Sequence, residues 1–383
     1  MILVSEAAPM PFGHGGGLIA YKQAELLSKM GILDCIMTTV PKDNVDACKE
    51  FGVPLVDIRH ESSPMDARFD RGSPWVFDAV VAHELMHSPD KYRDVFFNGG
   101  GLPISTEFAR SKDWKIVCDC AAHNTEESAA EKTLHGLDLY GLFPHLDRRN
   151  ASWDRWNMPI RAADLVFVPA RMCADYMVKT VPMSMERLCV VYRGTDVQAQ
   201  NVLDRSSISA LHVSTWGHDK GQLYLVRSWL MFINSLPNYK ARLNVAGHNT
   251  DHVPRMYHAT GDLKADFRGE VPQSVLEEMY RTSNLYLHSS VTEGFGLSLL
   301  DAMSYGIPVV TSNGAGGSEL VKDGISGFVT GIRDSEAMAR KILFLAENPD
   351  RLVAMGNAAY ETAREYTWER WAMETKAALE KVL

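Results

Sequence analysis

Short apolar, β-branched runs alternate with helical patterns along the whole chain, and this alternation limits the fold more than any motif does. A strand, a crossover helix and a second strand form the unit of a parallel sheet, so the chain is predicted to be α/β, with doubly wound parallel sheets. Candidate strands lie near 1–5, 32–40, 53–57, 76–82, 115–121, 164–169 and 187–192. A second series follows near 208–215, 241–247, 265–269, 284–288, 308–311 and 326–329. Between the two lie Gly194-Thr195-Asp196 and a polar, weakly patterned stretch from Gln198 to Ser207, which is the natural linker. At about 150 residues per domain, 383 residues suit two cores. The segment from Thr367 to Leu383 is helical in pattern, and its Trp368, Trp371, Ala372 and Leu379 need a surface to bury against.

Composition narrows the class. Hydrophobic residues at 46% and charged residues at 23% are globular values, which exclude collagenous, coiled-coil and wholly disordered chains. The net charge of -9 has the wrong sign for phosphate-backbone binding, so no specific nucleic-acid partner is expected. Six scattered cysteines lack the spacing of zinc knuckles or redox motifs and read as reduced thiols of a cytoplasmic protein. Met1 runs straight into Ile2-Leu3-Val4 without the flank of a signal peptide, and no apolar run approaches the roughly 18 residues of a membrane span.

Three motifs bear on chemistry. His83-Glu84-Leu85-Met86-His87 matches the zinc-peptidase pattern, with Glu107 as an imaginable third ligand. That chemistry needs both histidines on one helix, whereas Val76–Val81 reads as a strand and Ser88-Pro89-Asp90 as a helix start. The motif is therefore expected in a loop, and a zinc hydrolase is the weaker alternative. Gly13-His14-Gly15-Gly16-Gly17 precedes a helical pattern, where backbone amides and the helix dipole suit a phosphate. It also fits the dinucleotide fingerprint, but the loop from Ser5 is long and Thr38-Thr39-Val40 offers no acid for a ribose, which argues against NAD.

The third motif is the run from Ser289 to Val310. Glu293 ends a strand, Gly294-Phe295-Gly296-Leu297 opens a helix, and Asp301 follows Glu293 by eight residues. Amides at a helix start favour phosphate, and carboxylates accept bonds from sugar hydroxyls, so the stretch reads as a nucleotide-sugar site. Arg148, Arg149, Arg155 and Arg161 interleave with Trp153 and Trp156, a pattern expected to be an amphipathic helix packed on a sheet, with peripheral membrane contact as the other reading.

On these residues the sequence resembles the retaining GT-B glycosyltransferases of family 4. Pro11–Gly17 resembles the family's glycine loop, Ala121-Ala122-His123-Asn124 its strand-end histidine, and Val190–Asp196 its pre-linker pattern. Asp219-Lys220-Gly221 is similar to its phosphate-binding Glu-Lys-Gly, and Phe267–Val271 to its base-contacting turn. Gly316–Val321 with Asp323-Gly324 resembles the stretch that closes the pattern.

The resemblance implies two Rossmann-like domains facing across a cleft: residues 1–195 on the acceptor side, 208–366 binding the donor, and helix 367–383 returning to the first. It implies a metal-independent, retaining hexosyltransferase that takes a nucleoside diphosphate sugar as co-substrate and holds no resident cofactor. The acceptor, whether a sugar, a lipid-linked sugar, a protein or a small molecule, stays open. Glu293 would hold the donor sugar's hydroxyls and Asp301 the ribose. Lys220 and the amides of Gly296, Leu297, Gly16 and Gly17 would surround the diphosphate, with Gly294 and Phe295 in the same donor-binding stretch. Arg268, Gly269 and Val271 would meet the base, and His123 would lie near the reacting carbon. Asp301 and Thr215 stand where the family has Glu and Arg, leaving His218 or Arg193 as substitute cations if the fold brings them close. A catalytically degenerate nucleotide-sugar-binding homologue is the first alternative.

Overall fold

The structure, a computed structural model, describes residues 1–5, 16–38, 51–53, 55–57, 74–87, 94–98, 102–120, 158–248, 250 and 263–383. The loop at 13–15, His123 and the Arg/Trp stretch from 148 to 156 lie outside them.

Among the described residues are two wholly parallel sheets. The first joins β1 (Ile2–Ser5), β2 (Cys35–Thr38), β3 (Leu55–Asp57), β4 (Val95–Asn98), β5 (Ile116–Asp119), β6 (Leu165–Val168) and β7 (Leu188–Val190) in the order 3-2-1-4-5-6-7. The second joins β8 (Ile208–Val213), β9 (Ala241–Ala246), β10 (Ala265–Phe267), β11 (Leu285–His288), β12 (Val309–Ser312) and β13 (Gly327–Thr330) in the order 10-9-8-11-12-13. Strand order reverses beside β1 and beside β8, and ligands of such sheets bind where it reverses, beyond the carboxyl ends of the strands.

Helices α1 (Gly16–Lys29), α2 (Pro74–His87), α3 (Pro103–Ser111) and α4 (Arg171–Thr180) accompany the first sheet. The second carries α5 (Gln222–Ser235), α6 (Gln273–Arg281), α7 (Leu297–Ser304), α8 (Ser335–Glu347) and α9 (Pro349–Glu365), and α10 (Trp368–Leu379) ends the chain. No helix among the described residues is long and apolar enough to cross a membrane.

Period-two alternation splits each sheet's side chains between two cores. Ile2 and Val4 join Val95, Phe97, Val81 and Leu85, while Met1 and Leu3 join Phe96, Ile19 and Leu27. Trp368, Trp371 and Leu379 of α10 complete this second core, although they follow the other sheet in sequence. In the second sheet Leu211, Val213 and Tyr286 face Leu299 and Met303, whereas Ala210, Leu285 and Leu287 face Trp229 and Phe232. The chain passes between the two units at Thr195 and Thr367, which pair as a parallel bridge, and Thr195 N donates to Tyr366 O at 3.0 Å.

Every predicted run holds a strand except 76–82, which is helix α2; the fourth strand of the sheet is Val95–Asn98. Trp75–Val81 is almost continuously apolar, and such a run has no periodicity to separate a buried helix from a buried strand. The expectation for His83 and His87 changes with it. Both lie on the last turns of α2 and not in a loop, with their rings stacked at 3.9 Å and His87 Nδ1 at 2.8 Å from the His83 carbonyl. Among the described residues no group of three His, Cys, Asp or Glu forms a metal-binding set, at Glu107 or elsewhere.

Candidate active site

Beyond β8 and β11, at the reversal of strand order, the chain builds a compact cluster. After β8 it runs through Ser214–Gly217 into a 3-10 turn, His218–Lys220. Gly221 then adopts φ +67° and opens α5. A Cβ there would fall 2.1 Å from the Ser289 carbonyl oxygen, so only glycine lets this turn lie against the end of β11. Hydrogen bonds to the backbone stitch the two together: Val291 N donates to Asp219 O at 2.7 Å and the Ser289 hydroxyl to Lys220 O at 3.0 Å.

The stitching brings Lys220 Nζ to 2.8 Å from Glu293 Oε1, with 22% and 19% of the side chains exposed. The other oxygen, Oε2, accepts from His288 Nε2 at 2.8 Å and from Ser290 Oγ at 2.8 Å. Burial alone would raise the Glu293 carboxyl, but the Lys220 ammonium and the His288 hydrogen bond more than offset it and hold it well below the usual range. Burial likewise lowers Lys220, and Glu293 reverses this, so the ammonium is held above its ordinary value. Both groups are charged at neutral pH.

Gly296, at φ +90°, turns the chain into α7, whose start no side chain caps. Leu297, the first residue of α7, packs against cores of both units. Further along α7, Asp301 accepts from Thr195 Oγ1 at 2.8 Å, on the linker between the units. Burial pushes the Asp301 carboxyl up to about 7; the Thr195 bond works against this and Asp196 adds to it.

Gly269, at φ +66°, receives the Gly247 N–H on its carbonyl at 2.8 Å at the ends of β9 and β10. Arg268 Nε pairs with Asp266 at 3.2 Å, and Val271 packs against the core that holds Phe295 and Leu299. Gly16 and Gly17 begin α1 in the first unit.

Lys220, Glu293 and Gly296 thus form one cluster, with Asp301 on the same helix as Leu297. Thr215 is exposed, and Arg193 cannot stand in for the missing cation: buried, it donates Nη1 to Asp119 at 2.7 Å, and Asp119 also accepts from Gln23 at 2.7 Å. Sequence reasoning missed His288, Ser290 and Thr195. The available signal was a histidine closing an otherwise apolar strand, five positions before the acid.

Residues 195–362 match the family model described as glycosyl transferases group 1. The whole chain superposes on Anabaena Alr3699/HepE in complex with UDP-glucose with a TM-score of 0.73 at 16% identity, covering 99% of each chain. It superposes on WaaG, a glycosyltransferase involved in lipopolysaccharide biosynthesis, with a TM-score of 0.72 at 16% identity, covering 99% of this chain and 98% of that one. The fold is GT-B. Among curated relatives, sulfoquinovosyl transferase SQD2 of Arabidopsis thaliana is 24% identical over 54% of this chain and 42% of its own length. The D-inositol 3-phosphate glycosyltransferase of Kribbella flavida is 29% identical over 40% of this chain and 39% of its own. The matched part is less than half the length of either relative. In this GT-B chain the Lys220–Glu293 cluster falls inside the family-matched stretch, on the second unit.

Proposed function

We propose that the protein is a retaining, metal-independent glycosyltransferase that moves a hexose from a nucleoside diphosphate sugar to an acceptor hydroxyl in the cytoplasm. The observation that carries this is the charged Lys220–Glu293 pair beside the uncapped start of α7, at the reversal point of the second sheet. The UDP and UDP-glucose held by the HepE structures support a nucleotide-sugar donor. Lys220 and the amides of Gly296 and Leu297, with those of Gly16 and Gly17 across the cleft, hold the diphosphate, and Gly294 and Phe295 belong to the same donor-binding stretch. Glu293 accepts from the sugar hydroxyls and Asp301 from the ribose, and Arg268, Gly269 and Val271 meet the base. His123, which lies outside the described residues, is assigned to the reacting carbon by the family resemblance alone.

In the transfer the anomeric carbon–oxygen bond to the diphosphate breaks and a bond to the acceptor oxygen forms on the same face, the acceptor's proton passing to the leaving phosphate oxygen. No separate nucleophile, metal or resident cofactor is needed. The protein's share is stabilisation of charge on the departing diphosphate by a fixed ammonium and backbone dipoles.

A thermal-shift screen of nucleoside diphosphates and their sugars, followed by nucleotide release in the presence of acceptor hydroxyls, tests the reading. A ligand at 100 times its dissociation constant stabilises by about 2.7 kcal/mol. Binding with release and unchanged anomeric configuration supports it. Binding without release under any acceptor assigns a degenerate binding homologue, and no shift with any nucleotide removes the reading.

A further inference from the structure

Glu293 has two oxygens and two unlike neighbours. Oε1 faces Lys220, a group the donor's diphosphate is proposed to claim; Oε2 faces His288, which is fully buried. His288 closes β11 with 0% exposure, paired in register with Thr311 of β12. Its Nε2 lies 2.8 Å from Glu293 Oε2 and 3.2 Å from Ser290 Oγ, while Ser290 Oγ itself donates to the same Oε2 at 2.8 Å. Nδ1 has no hydrogen-bond partner among the described residues, so placing the proton on Nε2 satisfies Glu293 and leaves only a lone pair unpaired.

The backbone is fitted to this ring as well. A Cβ on Gly296 would sit 3.1 Å from His288 Nε2 and 3.3 Å from Cε1, so the turn into α7 rests directly on the imidazole. Tyr286 stacks behind it at 6.0 Å. A ring that is buried, bonded to one carboxylate oxygen and covered by a glycine has a single orientation open to it.

We propose that His288 is the positioning residue of the donor site: it anchors Oε2 of Glu293 from beneath, so that the carboxylate keeps lone pairs aimed at the donor sugar and does not turn both oxygens onto Lys220. This rests on the reading of Glu293 as the acceptor for sugar hydroxyls. Removal of the anchor weakens recognition of the sugar and spares recognition of the nucleotide.

Three substitutions separate this from a packing role. His288→Gln keeps an N–H near the position of Nε2, His288→Asn withdraws it by one methylene, and His288→Leu removes it. Calorimetric titration compares the nucleotide sugar that the wild type binds best with its free nucleoside diphosphate, starting from UDP-glucose and UDP. We expect the nucleoside diphosphate to bind all three within about 3-fold of wild type. The preference for the sugar nucleotide falls about 10-fold in Asn and Leu and stays within about 3-fold in Gln, the scale of one hydrogen bond.

Should His288→Leu fail to fold, the Asn–Gln contrast carries the test, since both are polar. Equal preference in Asn and Gln, or equal loss of nucleotide and sugar nucleotide, overturns the proposal. Glu293→Gln is the control. If it loses the sugar preference and His288→Asn does not, His288 alone is wrong; if it keeps the preference, the reading of Glu293 fails.

Discussion

The carboxylate of Glu319, in the second unit, accepts the backbone N–H of Arg171 at 3.0 Å, and of the following Met172 at 2.8 Å, at the start of α4 in the first unit. Helix α4 has no side-chain cap of its own, because Ala170 occupies the cap position. A residue far along the chain thus supplies both the missing acceptor and a negative charge at the positive end of the helix. Tyr192 Oη donates to the same carboxylate at 2.8 Å, and burial with this bond pushes the phenol up to about 12. Cys173 of α4 adds a thiol bond to the Gly294 carbonyl at 3.1 Å, so the loop that carries Glu293 touches the first unit directly.

Glu319→Ala is therefore expected to destabilise by about 1 kcal/mol, within the usual range for a lost cap. Thermal unfolding of this variant beside Glu319→Gln, which keeps one acceptor, checks it. Equal melting points for Ala, Gln and wild type would show that the cap contributes nothing.

Asp301 should make stability depend on pH. Folded, its carboxyl titrates near 7; its ordinary value is 3.8. Between those values the folded chain holds a proton that the unfolded chain has lost, so stability falls as pH rises through the window and the deficit is complete above 7. Asp301→Asn removes this while keeping an acceptor for Thr195. The side chain retains partial solvent contact, which discounts the gain to about 1–2 kcal/mol at pH 8, with little difference near pH 4. Melting curves at the two pH values decide; a gain that is equal at both would locate the titration elsewhere.

Arg193→Met should cost about 3–5 kcal/mol, because it leaves the Asp119 carboxyl in a buried site with Gln23 as its remaining described partner. The double variant Arg193→Met/Asp119→Leu should recover much of that loss. Denaturant unfolding of the three proteins measures it, and a single variant as stable as wild type would show that Asp119 reaches another cation or water.

At the cluster itself, Glu293→Gln should lower transfer by one to two decades with the fold intact, since a hydrogen bond to a charged group is worth about 1.5–3 kcal/mol. Thr215→Arg should raise nucleoside diphosphate affinity by about tenfold, as Thr215 is exposed beside the Lys220 turn. Weaker binding in that variant would mean the pocket is arranged around a different anion geometry.

The strands are legible because burial on both faces of a parallel sheet writes itself as local apolar runs, and the turn from Glu293 into α7 because its acid and glycines are neighbours in sequence. Val76–Val81, a strand by its sequence and a helix in the structure, differs for the same reason, since local hydrophobicity is all such a run offers. Whether Arg193 can serve as a substitute cation is not legible in the sequence, for a different reason. Its partner Asp119 stands 74 positions away, and nothing local distinguishes an arginine held in a buried ion pair from one awaiting a phosphate. His288 carries only the faint signal of a polar residue closing an apolar strand, and its role shows only where the turn at Gly296 folds Glu293 back over the ring.

The path of the chain has a consequence for biogenesis. The core beneath Leu3, Ile19 and Leu27 is closed by Trp368, Trp371 and Leu379. Those residues leave the ribosome after every strand of the second sheet has been made. Gly194 has no room for a Cβ, which would fall 2.4 Å from Trp368 N, so the late helix must also seat itself against a backbone laid down long before. The half of the molecule that is synthesised first is therefore the half completed last, and until then it presents an open apolar face that a nascent chain has to keep from other surfaces.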